Sequence, residues 1–282
     1  MNKLKLKQML THFFNEDIGD YDVTTDYLFN EQDRSQLIIT AKESGIFCGE
    51  SIIYEGYTLL DHTMHIEVLV CDGEKISPGD AIAYITGPIN TLLKGERVIL
   101  NMIQRLSGIA TTTAQAVELL NDHHIRISDT RKTTPGLRML EKYAVRVGGG
   151  VNHRLRLDDA VLIKDNHIAF FGSVKKAIHQ IRRQIGHMIK VEVEIEDEDQ
   201  LLEAIEADFD VIMIDNTDIT TITNWVKLIP ESKIVELSGG ITPEDLPRYR
   251  GLPIDVISMG YLTHHIQALD LSATHQPIKE RV

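Results

Sequence analysis

The residues with the most chemical reach in this chain stand where apolar runs end. One run gives way to Asp129, Thr130, Arg131 and Lys132, another to Lys164, Asp165 and Asn166, and others to Glu194, to Asp215 and Asn216, to Ser238, Gly239 and Gly240, and to Gly260. Cations at 131, 132, 154 and 164 suit carboxylates and phosphates, and arginine grips such groups with two parallel hydrogen bonds. Glu194 and Asp215 would repel the same ligands unless a cation stands between, and Mg²⁺ commonly takes one or two carboxylates together with substrate phosphate oxygens. In SGGITPEDL (238–246) the glycines allow close backbone approach, Thr242 is placed to cap a helix and Pro243 to open it. That pattern makes a phosphate cradle at a helix N-terminus. The glycines at 148–150, ahead of Asn152, His153 and Arg154, offer a second one.

Each group also has a plainer reading. KVEVEIE (190–196) alternates strictly, which equally fits a half-buried strand with solvated glutamates. An aspartate after a strand often only caps the next helix, SGG alone is more often a turn, and His153, His264 and His265 could be ordinary polar residues. No zinc-type spacing of histidine and cysteine and no nucleophile elbow is present. The weight lies in the order: several strand-ending polar residues in succession, where one would mean little.

What must position them is a series of βα units. Apolar runs at 125–129, 160–164, 190–194, 211–215, 233–238 and 255–260 alternate with helical patterns at 173–185, 198–207 and 219–229 and a short turn at 243–248. The spacing leaves room for one strand and one crossover helix per unit, which predicts parallel strands. Runs such as VIMI are apolar on both faces, as in a buried parallel sheet, and ligands of such sheets sit beyond the carboxyl ends of the strands. Six or seven strands are visible, short of a complete eight-stranded barrel. Residues 1–110 read differently: a helix at 5–14, strand-like segments, an apolar helix at 51–61, a β-rich piece around a Gly-Pro turn, then a strongly apolar helix at 91–122. The expected organisation is therefore an N-terminal unit at 1–110, joined by C-terminal residues 266–282, and a barrel-like unit at 111–265. The tail QPIKERV reads as frayed.

Charge bounds the partners. The net charge is −13, which argues against general nucleic-acid binding. Residues 131–164 nevertheless carry eight Lys or Arg against three acids, while the remainder nets −18. A basic island in an acidic protein suggests a small polyanion in a pocket, although clustered charge more often marks a solvated face. Two cysteines, no secretory pattern and no apolar run of membrane-spanning length point to a soluble, cytoplasmic protein.

The segments EDIGDYDVTTDYLF (16–29), GERVILNMIQRLSGIAT (95–111), DTRKTTPGLRMLEKYAVRVGGGVNHRLRLDD (129–159), LIKDNHI (162–168), VEVEI (191–195), IMIDN (212–216), ELSGGI (236–241) and SMGYLTH (258–264) together resemble the quinolinate phosphoribosyltransferase family, the carboxylating nicotinate-nucleotide pyrophosphorylases. The resemblance covers nearly the whole chain in order. It implies an α/β fold of type II phosphoribosyltransferase kind, with an N-terminal α/β sandwich and an incomplete, about seven-stranded α/β barrel. It implies a homodimer, or a hexamer built as a trimer of dimers, with shared sites. The implied reaction converts quinolinate and phosphoribosyl pyrophosphate to nicotinate mononucleotide, pyrophosphate and CO₂, with Mg²⁺ and no organic cofactor. Arg131, Arg154 and Lys164, with His153 nearby, would hold the quinolinate carboxylates, Arg97 would reach that ligand from the partner subunit, and Thr130 would also be substrate-binding. Lys132, Glu194, Asp215, Ser238, Gly239, Gly240, Gly260 and His264 would meet phosphoribosyl pyrophosphate. Lys132, Glu194 and Asp215 would be catalytic, the two acids also meeting Mg²⁺. A paralogous branch linked to molybdate loci, with a different acceptor, and a non-catalytic anion-binding protein are the alternatives. Arg97 is flanked by apolar residues, so its guanidinium is expected to be buried and to need an anionic partner; a surface ion pair with Glu96 or Glu118 is the plainer reading.

Overall fold

Period-two and period-3.6 patterns sort this chain into two units in a computed structural model that describes residues 1–30 and 32–278. One unit comprises Met1–Thr112 with Ile266–Val282, the other Thr113–His265. In the first, helix α1 (Lys3–Ile18) buries Leu6, Leu10 and Phe14, one stripe at four-residue spacing. A short helix α2 (Thr25–Leu28) precedes strand β1 (Arg34–Ala41), whose burial alternates so that Leu37, Ile39 and Ala41 face the core. Strands β2 (Gly45–Ile46), β3 (His65–Val68), β4 (Lys75–Ile76) and β5 (Ala81–Pro88) and helix α3 (Glu50–Leu60) follow. Helix α4 (Ile89–Leu120) continues for 32 residues. At Gly56 of α3 the packing is close: a Cβ there would stand 3.1 Å from Ile99 and 3.6 Å from Phe14.

The main sheet of this unit has the order β12-β1-β5-β3, where β12 is Leu271–Pro277, and its pairs are antiparallel. The tail is thus ordered further than its sequence suggests. Ser35 to Ala41 pair with Pro277 back to Leu271, so Gln276 and Pro277 belong to a strand. Proline is tolerated there because β12 is an edge strand. Residues 279–282 of the segment read as frayed lie outside the described residues.

The second unit holds six parallel strands: β6 (Arg126–Ser128), β7 (Val161–Ile163), β8 (Val191–Ile195), β9 (Val211–Asp215), β10 (Ile234–Ser238) and β11 (Val256–Ser258), in the order β6-β11-β10-β9-β8-β7. A single parallel bridge, Ser128 to Val151, sets a seventh segment beside β6. It stays one bridge long because Gly149 turns the chain in at φ 93° and the next residues, Asn152 and His153, bond to Asp129. Helices α5 (Arg138–Val147), α6 (Asp165–Phe171), α7 (Val174–Arg182), α8 (Glu198–Ile205) and α9 (Ile219–Val226), a 3₁₀ helix at Pro243–Tyr249 and helix α10 (Tyr261–His264) connect the strands. Ser173, Asp197 and Asp218 cap α7, α8 and α9 through their side-chain oxygens. Thr242 caps the 3₁₀ helix with Pro243 at its first position. No described helix is long and apolar enough to cross a membrane.

Candidate active site

At the carboxyl ends of these strands lies a cavity of about 150 Å³. Its lining includes Thr130, Lys132, His153, Lys164, Glu194, Asp215, Ser238, Gly239, Gly240 and Gly260, ten residues singled out from sequence. Met213, Glu236 and Ser258 complete it. His264 stands at its edge, since a Cβ on Gly260 would come 3.0 Å from His264 Nε2 and 2.9 Å from Lys132 Cδ. Arg154 lines a second cavity of about 360 Å³, shared with Asn152, His153, Glu192 and Glu236. Arg131 is close enough to Arg154 that, after burial, its charge presses the Arg154 pKa down. Both guanidinium Nε atoms are buried with no hydrogen-bond partner among the described residues, although Arg154 Nη1 donates to the Ala160 carbonyl at 2.7 Å. Two like charges with free donors form a receptor for an anion.

The loops carrying these cations are braced from below. Asp129 and Lys142 are fully buried and paired with each other. Asn152 Nδ2 donates to Asp129 Oδ2 at 2.5 Å, and the His153 N–H donates to Asp129 Oδ1 at 3.0 Å. Lys142 Nζ also donates to the His153 carbonyl at 2.8 Å. Burial pushes Asp129 up and Lys142 down, each toward its neutral form, and their mutual bond opposes this. The Lys132 loop is tied on both sides: its N–H donates to Thr130 Oγ1 at 3.0 Å, and Thr263 Oγ1 donates to its carbonyl at 2.7 Å. Arg138 bridges Thr133 and the Leu155 carbonyl.

The basic island therefore divides. Arg131, Lys132, Arg154 and Lys164 line the two cavities or stand beside them; Arg138 and Lys142 hold the loops; Arg146 stacks on Tyr143, and Arg156 pairs with Asp158 and Asp159 at the surface. Arg97 departs from expectation. It is exposed on α4 and has no ion-pair partner among the described residues, while Glu96 bonds His275 at 2.9 Å. The apolar residues around it in sequence turn to the other side of the helix, so the Arg97 guanidinium is not buried and needs no partner within this chain.

Strand β8 is buried at all five positions, which rules out solvated glutamates along it. Glu194 is ion-paired with Lys164 Nζ at 2.7 Å. Asp215 accepts from Asn216 Nδ2 at 2.6 Å. Asn216 adopts φ 48°, and its N–H donates to the Ser238 carbonyl at 3.1 Å. Gly239 is required opposite: it has φ 107°, and a Cβ would fall 2.5 Å from the Asn216 nitrogen.

Two acids that sequence reasoning did not single out are central. Glu192 Oε2 meets His153 Nε2 at 2.8 Å, and Glu236 Oε1 stands 3.7 Å from the same nitrogen. Ser258 Oγ donates to Glu236 Oε1. The three donors of His153, Glu192 and Glu236 all lie within 4.8 Å of one another. Burial, then the charge of Glu192, pushes Glu236 up to about 7. For His153 burial alone would lower the pKa, but the Glu192 bond and charge, then Glu236, raise it. The available signal was an acid inside an apolar strand, IVELS at 234–238.

Known proteins resemble this chain along most of its length. The family models described as quinolinate phosphoribosyl transferase, N-terminal domain and C-terminal domain, match residues 22–107 and 109–274. A probable nicotinate-nucleotide pyrophosphorylase [carboxylating] of Bacillus subtilis (strain 168) is 53% identical over 272 residues, covering 96% of this chain and 94% of that protein. The Homo sapiens nicotinate-nucleotide pyrophosphorylase [carboxylating] is 39% identical, covering 84% and 81%. The crystal structure of NadC from Streptococcus pyogenes superposes with a TM-score of 0.96 at 40% identity over 99% of both chains.

Proposed function

The chain belongs to the quinolinate phosphoribosyltransferase family, and from that premise we propose that it transfers the phosphoribosyl group of phosphoribosyl pyrophosphate to quinolinate, releasing pyrophosphate and CO₂. The observation that carries this reading is the pair of guanidinium groups, Arg131 and Arg154, with buried free donors beside Lys164 and His153. They suit an acceptor with more than one carboxylate.

In this reading the pyridine nitrogen bonds to the sugar carbon as that carbon's bond to pyrophosphate breaks. Positive charge develops on the sugar, beside the carboxylates of Glu194 and Asp215. Lys132, held over the cavity by Thr130 and Thr263, faces the departing pyrophosphate. When the 2-carboxylate departs as CO₂, the electron pair stays on that ring carbon, stabilised by the adjacent cationic nitrogen, until the carbon takes up a proton. The cationic ring nitrogen supplies this stabilisation, so the protein's task is to orient the carboxylates and exclude water. No organic cofactor is required by this chemistry.

The donor set fits Mg²⁺ carried with the diphosphate. Asp215 and Glu194 line one cavity, and Asp215 is the freer acid because Lys164 neutralises Glu194. Bound there, the ion would neutralise charge on the leaving pyrophosphate. Exposed Arg97 supports a shared site, in which a second copy of the chain brings this cation to quinolinate within a dimer or hexamer. Two free cysteines, one of them exposed, agree with a reducing cytoplasm. Purified protein given quinolinate, phosphoribosyl pyrophosphate and Mg²⁺ is expected to form nicotinate mononucleotide; no product at any Mg²⁺ concentration would overturn the assignment.

A further inference from the structure

Glu192 and Glu236 take no part in the chemistry described, yet they are costly to keep. They are 6% and 5% exposed, and buried carboxylates persist only when paired and hydrogen-bonded. Their shared neighbour is the His153 ring, gripped at Nε2 by Glu192 and faced at 3.7 Å by Glu236. Ser258 orients Glu236 from β11. One oxygen of Glu192, Oε1, is buried with no hydrogen-bond partner among the described residues, so this acid gives up a hydrogen bond to hold its place. The backbone of residue 153 is fixed as well, its N–H on Asp129 and its carbonyl on Lys142. His153 and Glu236 each line both cavities, which places the ring at the partition between them. A metal ion would need the same Nε2 that already bonds Glu192, so the cluster is organised around the ring and its proton.

We propose that Glu192 and Glu236 are positioning residues for the acceptor: they hold the His153 ring by its Nε2 edge and give it counter-charge, so that an acceptor carboxylate meets a cation of fixed direction. The inference rests on the proposed quinolinate site. Arg154 alone could bind a carboxylate through a mobile fork, whereas a clamped imidazolium also fixes the tilt of the pyridine ring. Tilt decides whether the ring nitrogen points at the sugar carbon.

The test is steady-state kinetics on Glu192→Gln, alone and in a His153→Asn background. Glu192→Gln is expected to raise KM for quinolinate about tenfold, the scale of one charge-assisted hydrogen bond. KM for phosphoribosyl pyrophosphate should stay within about twofold of wild type, whereas kcat should fall as well, because an unclamped ring lets the pyridine nitrogen tilt away from the sugar carbon. With His153→Asn present, Glu192→Gln should add nothing further, since the acid acts through the ring. An unchanged quinolinate KM, an equal rise for both substrates, or a full second loss in the His153→Asn background would each overturn the proposal. If Glu192→Gln shows no cooperative thermal transition, Ser258→Ala gives the same reading with both acids in place: a smaller rise in quinolinate KM supports the proposal and none overturns it. Wild-type protein that does not turn over quinolinate would instead sink the parent assignment.

Discussion

Lys164 Nζ lies 2.7 Å from Glu194 Oε2, so a cation proposed to meet the acceptor and an acid proposed to meet the sugar are joined directly. The pair keeps a buried carboxylate satisfied. It also implies an exchange, with Lys164 turning from Glu194 to an acceptor carboxylate and leaving Glu194 free to face positive charge on the sugar.

Glu194→Gln should therefore lower kcat about 10²-fold, the cost of one preorganised electrostatic group. Quinolinate KM should not rise, because Lys164 loses its competing partner. Near-native turnover in this variant would return KVEVEIE to the role of an ordinary strand.

The Asp129–Lys142 pair is fully buried and holds the backbone of His153. Lys142→Met leaves an unpaired carboxylate inside and should cost about 3–5 kcal/mol of stability in denaturant titration. Adding Asp129→Asn should recover part of that loss. A Lys142→Met chain as stable as wild type would show the pair to be dispensable.

Stability should fall as pH rises through the neutral range. Glu236, pushed up to about 7 by burial and then Glu192, binds its proton more tightly folded than unfolded. Its contribution is greatest below the ordinary glutamate value and is lost as pH rises toward 7. His153, raised by Glu192 against burial, acts in the same sense, its contribution lost above its folded value. Melting temperatures between about pH 5 and 8 should decline for wild type and decline less for Glu236→Gln. Parallel curves for the two proteins would contradict this.

Much of the catalytic unit was legible because buried parallel strands announce themselves as apolar runs, and the residues ending them converge wherever the strands converge. Lys164, Glu194, Asp215 and Ser238 were found in this way. Glu192 was not, because alternation in VEVEI is the same whether its glutamates face solvent or a barrel interior; only the position of β8 between β7 and β9 decides. Strand β12 was unreadable for a related reason: LSATHQP has little apolar character, and its partner β1 lies at the other end of the chain. Arg97 misled because flanking apolar residues say nothing about which side of a helix one residue takes.

Arg97 is exposed on α4 with no ion-pair partner among the described residues, and the shared-site reading predicts complementation. Inactive Arg97→Ala and inactive Lys164→Ala chains, co-assembled, should regain part of the activity, because one site of each mixed dimer would join two intact residues. Verified mixed dimers without activity would place Arg97 outside the neighbour's site.

The central claim is that this pocket is built for an acceptor with two carboxylates, and the most direct measurement compares kcat/KM for quinolinate and for nicotinic acid in wild type and Arg154→Ala. Wild type should prefer quinolinate by at least about 10²-fold, since the monocarboxylate leaves buried guanidinium donors unpaired. Arg154→Ala should shrink that preference mainly by raising quinolinate KM. Wild-type protein that uses nicotinic acid as well as or better than quinolinate would contradict the account.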